Sequence, residues 1–154
     1  MPYGNPFIAL VNNHAIWVSL FACFSAQLLK MLIPLAITRK ATPALLFTTG
    51  GMPSSHSALV CALATAAGLQ YGMQSMFFAL ALMFAVVVMH DAAGVRRAAG
   101  KQAEVINMLV ERLDSQGITL DAKLKELLGH SPIEVVAGAL WGVLIATVTF
   151  VLIV

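Results

Sequence analysis

From Pro132 to Val154 the chain carries a single charge, Glu134, in an otherwise apolar run. A helix needs about 20 apolar residues to cross the hydrocarbon core of a bilayer, and within that core its backbone must satisfy its own hydrogen bonds. Such a run is expected to be a membrane-spanning helix. Three more resemble it. Ala15 to Ile37 is broken only by Gln27 and Lys30, a second run extends from His56 to about Gln70, and a third from Ser75 to Met89. The 154 residues are 60% hydrophobic and 10% charged, with a mean hydropathy of +0.88. An ordinary soluble domain is roughly a quarter charged, so a water-soluble globule is excluded. The expectation is one all-α integral membrane domain over 1–154, a helical bundle of about four spans at 15–37, 56–70, 75–89 and 132–154.

The remaining polar segment, residues 91–131, carries most of the charge. Val95, Ala98, Ala99, Val105, Ile106, Leu109, Val110 and Leu113 recur there at helical spacing, with Arg97, Lys101, Glu104 and Glu111 on the other face. This predicts an amphipathic cytoplasmic helix lying at the membrane surface or folded back on the bundle. Ser115-Gln116-Gly117 ends it, and Leu120 to Leu128 can form a shorter helix.

Net charge is +2, which gives no excess for binding nucleic acid. The positions of the cations say more. Arg39 and Lys40 lie after the first span, and Arg96, Arg97, Lys101, Arg112, Lys123 and Lys125 lie after the third. Lys and Arg favour cytoplasmic loops, so the pattern predicts both termini outside and loops one and three inside. The N-terminal stretch has no Lys or Arg ahead of its apolar run and no small-residue cleavage pattern, so the first run is expected to remain as a membrane helix. Cys23 and Cys61 sit inside apolar stretches without CxxC spacing and read as packing residues.

Ionisable side chains at membrane depth are costly and mark functional sites by default. Lys30, His56, His90, Asp91, His130 and Glu134 all fall near the predicted cytoplasmic ends of spans, beside the basic stretch from Arg96 to Lys101. Two imidazoles, a carboxylate and several cations suit phosphoryl transfer: one imidazole attacks phosphorus, the other protonates the leaving oxygen, and cations neutralise the phosphate oxygens.

Three elements carry a resemblance. Gly51-Met52-Pro53-Ser54-Ser55-His56-Ser57 resembles the Pro-Ser-Gly-His element of the type 2 phosphatidic acid phosphatase superfamily, which includes the vanadium-dependent haloperoxidases. Asp91-Ala92-Ala93-Gly94-Val95-Arg96-Arg97 with Ala99-Gly100-Lys101-Gln102, and Gly129-His130-Ser131-Pro132-Ile133-Glu134-Val135, resemble its divergent bacterial and plant branch. The resemblance implies a phosphohistidine mechanism with His130 as nucleophile, Glu134 as the carboxylate orienting it and His56 as general acid. It also implies that Ser54, Ser55 and the adjacent backbone N–H groups hold phosphate oxygens, with no metal or other cofactor. Lys30, Arg39, Arg96, Arg97 and Lys101 are the candidate substrate-binding cations, and Asp91 a supporting residue. The chain departs from the superfamily pattern in two of its elements. Ile37 stands where the first element has the Arg of an Arg-Pro pair, and in the third element Leu124 stands at an Arg position and Glu134 at an Asp position.

The resemblance thus implies a lipid phosphate phosphatase, and the charge pattern puts its expected site at the cytoplasmic face, which suits a phosphomonoester such as phosphatidylglycerophosphate or phosphatidate. The expected partners are the bilayer and the phospholipid substrate. Four spans are fewer than the superfamily's usual six, which leaves room for a homodimer. Plainer readings stand beside these. Ser131-Pro132-Ile133-Glu134 is also a capping box, Ser54 or Ser55 can cap the second span, and Lys30 can snorkel to the headgroups. Arg96 and Arg97 can serve as topology determinants, His90 as an interfacial residue and Asp91 as half of an ion pair. The functional alternatives are Mg²⁺-dependent hydrolysis on Asp91, Glu104 and Glu134, or a protein that binds a lipid phosphate without cleaving it.

Overall fold

The structure, a computed structural model, describes residues 5–39, 51–116, 124 and 129–153, and these are helical without strands. Helix α1 (Pro6–Val11) begins where the Asn5 side chain accepts from the Phe7 N–H at 3.0 Å and Pro6 supplies a preformed first turn. Asn13 then caps α2 (His14–Thr38) by accepting from the Ile16 N–H at 3.4 Å. The Trp17 indole N–H donates to the Val11 carbonyl at 2.7 Å and ties the two helices together. The sequence reading did not anticipate α1, although Asn5-Pro6 is a legible start signal.

Helix α3 (Ser55–Tyr71) follows a Ser54 cap, and Gly72, at φ 86°, turns the chain towards α4 (Met76–His90). The Ser75 hydroxyl caps α4 by accepting from the Phe78 N–H at 3.2 Å. The apolar run ends at His90-Asp91, but the helix does not. A π-helical segment, Asp91–Val95, leads directly into α5 (Arg96–Asp114). No proline interrupts this stretch and alanine is frequent in it, so the fall in hydropathy marks a change of surroundings and not a helix end. Asn107, buried on α5, donates from its side-chain amide to the Leu124 carbonyl at 2.8 Å and accepts from the Leu124 N–H at 2.9 Å. Apart from Leu124, the expected helix from Leu120 to Leu128 lies outside the described residues, as do Lys40 and the linker 41–50. The last helix is α6 (Pro132–Ile153).

Among the described residues three helical stretches are long and apolar enough to cross a membrane: His14–Ala36, Met76–Asp114 and Pro132–Leu152. The expected second span is α3, which at 17 residues is shorter than these and is the most internal element, packed against α2, α4 and α6.

Small side chains build the interior. Val18, Ala22, Ala62 and Ala146 form a buried cluster, while Phe21, Phe24, Phe77, Leu80, Phe84 and Leu144 face outward. Lipid tails are as apolar as Leu, so close van der Waals approach is what joins such helices. Between α3 and α6 that approach reaches backbone contact. A Cβ at Gly138 would lie 2.2 Å from the Ser54 carbonyl oxygen, and one at Gly142 would lie 2.2 Å from that of Ala58. The Trp141 indole donates to the Ser25 hydroxyl at 2.9 Å, which joins α6 to α2.

Candidate active site

His130 stands just ahead of α6, where Ser131 and Glu134 form the capping box that their spacing predicts. Glu134 Oε2 accepts from the Ser131 N–H at 3.1 Å, and the Ser131 hydroxyl accepts from the Glu134 N–H at 3.4 Å. The same Oε2 lies 3.0 Å from Nδ1 of His130, whose side chain is buried. One carboxylate oxygen therefore caps the helix and orients the ring. A carboxylate favours the tautomer with the proton on Nδ1, so Nε2 carries the lone pair.

His56 enters from the first turn of α3. Its ring centroid lies 6.1 Å from that of His130, with the planes inclined at 64°. A backbone bond sets this spacing: the Ser54 N–H donates to the Glu134 carbonyl at 2.9 Å and fastens the start of α3 to the first turn of α6. His56 is exposed and His130 is buried, so one ring faces outward and the other inward.

Ser54, Ser55 and Ser57 are all buried at this end of α3. The Ser54 hydroxyl oxygen accepts from the Ser57 N–H at 3.4 Å and from the Ser57 hydroxyl at 3.1 Å. Sequence reasoning passed over Ser57. Its place in the first turn, three residues after the cap, is the signal that could have found it.

Lys30 is buried on α2, its aliphatic stem against Gly51 and its ammonium within electrostatic reach of Glu134. Snorkelling does not describe it, because the side chain turns into the bundle. The structure thus brings together Lys30, Ser54, Ser55, His56, His130 and Glu134.

The remaining candidates lie at the ends of α2 and α4 and on the helix that continues α4. Arg39 is exposed as the left-handed cap of α2, at φ 55°. Arg97 and Lys101 are exposed on α5, and neither has a described hydrogen bond or ion pair with His56 or His130. Arg96 opens α5, but its side chain is outside the described residues. His90 is exposed at the end of α4, and Asp91, half-buried, begins the π-helical segment, which packs against α6. Asp91, Glu104 and Glu134 do not gather: among the described residues no three His, Cys, Asp or Glu side chains are grouped to hold a metal ion.

Gly138 and Gly142 also escaped the sequence reading. Their G-x-x-x-G spacing in an apolar run is a known signal for close helix approach, and here it holds the helix carrying Glu134 against the helix carrying His56.

Residues 11–145 match the divergent PAP2 family. A membrane protein of Bacillus subtilis (strain 168), the uncharacterized membrane protein YuiD, is 45% identical over 152 residues, which cover 90% of this chain and 95% of that protein. No solved structure matches the chain. With the family match spanning most of its length and a relative this similar, the chain is a membrane protein of the divergent PAP2 family.

Proposed function

We propose that the chain is a lipid phosphate phosphatase that works through a phosphohistidine. The observation that carries this reading is the pair of imidazoles 6.1 Å apart, the buried one held at Nδ1 by Glu134. In this reading Nε2 of His130 attacks phosphorus, the bond to the lipid oxygen breaks, and His56 delivers a proton to that oxygen. Water then attacks phosphorus as the P–N bond breaks, with His56 accepting the water's proton, which releases phosphate and restores His130. Lys30 and the first-turn N–H groups of α3 offset charge on the phosphate oxygens as it develops.

Both histidines lie at the end of the bundle where the cations cluster in sequence, which supports a site facing the cytoplasm. A phosphomonoester made on that leaflet, phosphatidylglycerophosphate or phosphatidate, suits such a site. Arg97 and Lys101 enter this reading as groups that attract an anionic headgroup to the membrane surface.

The test uses purified wild type, His130→Ala and His56→Ala, assayed for phosphate release from both lipids with and without EDTA. The expected result is chelator-resistant release by wild type, reduced at least about a hundredfold in each variant. Release abolished by EDTA, or no release from either lipid by folded wild type, overturns the mechanism. The second result favours a protein that binds lipid phosphate without cleaving it.

A further inference from the structure

Two serine hydroxyls, closed off from solvent, meet at the start of α3. Ser54 and Ser57 both have 0% exposure, and their side-chain oxygens lie 3.1 Å apart. Two hydroxyls carry two protons, and the one bond between them uses only one. Ser54 Oγ accepts from the Ser57 hydroxyl and also, at 3.4 Å, from the Ser57 N–H, a group that can only donate. A hydroxyl oxygen has two lone pairs, so both are taken and the Ser54 proton is the one left over. Among the described residues no group accepts it, although a buried donor without an acceptor is costly and calls for a partner.

We propose that Ser57 is a positioning residue for phosphate: by filling both lone pairs of Ser54 Oγ, it makes the Ser54 hydroxyl donate to a phosphate oxygen. The proposal rests on the phosphate-site reading above and adds the residue that aims one of its donors. Ser57 itself does not touch the phosphate. The surroundings favour an anion as the missing acceptor. Ser54 caps a helix whose N-terminus attracts negative charge, and the buried Lys30 belongs to the same cluster. Glu134, the carboxylate of that cluster, is committed through Oε2 to the Ser131 N–H and to Nδ1 of His130. The oxygens of a phosphate dianion accept and do not donate, so a hydroxyl free to turn a lone pair towards them would repel them. A donor that is itself accepting hydrogen bonds is polarised and donates more strongly.

The test titrates inorganic phosphate calorimetrically into the full-length chain in detergent, as wild type, Ser57→Ala, Ser57→Cys, Ser54→Ala and the double alanine variant. Ser57→Ala is expected to weaken phosphate binding about tenfold, the size of one hydrogen bond to a charged group. Ser57→Cys keeps the volume of the side chain but donates poorly, so about the same loss is expected. Because Ser57 acts through Ser54, the double variant is expected to bind no more weakly than Ser54→Ala alone. A merely structural role would follow volume, and its loss would multiply with that of Ser54→Ala. Multiplying losses, wild-type affinity in Ser57→Cys, or folded wild type that takes up no phosphate each overturn the proposal. Phosphate binding in the expected pattern, without release from phosphatidate by wild type, upholds the role of Ser57 and overturns only the phosphatase reading. Release from phosphatidate with multiplying losses does the reverse: the phosphatase reading stands and the role of Ser57 falls.

Discussion

The seam between α3 and α6 and the arm formed by α4 and α5 are built on opposite plans. In the seam, Gly138, Gly142 and Ala146 meet Ser54, Ala58 and Ala62, and the helices touch through their backbones. In the arm, one continuous helix from Met76 to Asp114 turns most of its bulky side chains outward. Val105, Ile106, Met108 and Leu109 on α5 stay exposed, and Asn107 makes its two paired bonds to Leu124. The phosphate-handling candidates sit at the end of the seam. Groups that must hold two rings at a fixed spacing belong where the backbone cannot move, whereas α5, which turns its apolar side chains outward, can meet lipid or tolerate change. This contrast assigns opposite mutational sensitivities to the two regions.

The sharpest way to break it is Gly142→Leu. The new side chain must displace the Ala58 carbonyl, so a loss of at least about 3 kcal/mol is expected. Thermal unfolding in detergent reads this as absent or polydisperse protein. A stable Gly142→Leu variant with wild-type Tm would show that the seam is looser than its geometry. Asn107→Ala, in the arm, is expected to cost about 1–3 kcal/mol because it leaves a backbone donor and acceptor at Leu124 without their partner. Hydrogen exchange should accelerate at Leu124 and nearby amides while protection of α3 is unchanged. Loss of protection in α3 as well would mean that the arm and the seam unfold as one unit. The smallest effect is expected from Val105→Ser on the exposed face of α5, within about 0.5 kcal/mol by thermal unfolding. A drop several times larger would reveal a covering partner for that face.

The sequence made the helices legible because each carries its own signals. The runs from Ala15, His56, Ser75 and Pro132 correspond closely to α2, α3, α4 and α6, and Asn13, Ser54 and Ser75 cap where such residues should. The capping box from Ser131 to Glu134 was also readable from its spacing, whereas the pairing of His130 with Glu134 came only from the family resemblance. The continuity of α4 into α5 was not, because the charge at Asp91, Arg96 and Arg97 marks a change of surroundings while leaving the backbone free to stay helical. Which cations approach the histidines was equally hidden. Lys30 and Arg97 look alike as charges in sequence, but one is on a helix packed into the bundle and the other on an arm extending from it. Their separation depends on tertiary packing, which local pattern does not encode.

The hydrogen bond from the Ser54 N–H to the Glu134 carbonyl has a consequence for how this site tolerates sequence drift. Neither atom belongs to a side chain, so the clamp that sets the distance between the imidazoles does not depend on the identity of residue 54 or residue 134. Serine at 54 could give way to another small residue, or glutamate at 134 to aspartate, and the two rings would keep their register while their chemistry was retuned. Proline at 54 is the small replacement that cannot join this exchange, because it removes the donor itself. A saturation library at that position, sorted for folded protein and then for phosphate release, should therefore separate residues that alter the chemistry from the one that uncouples the two helices.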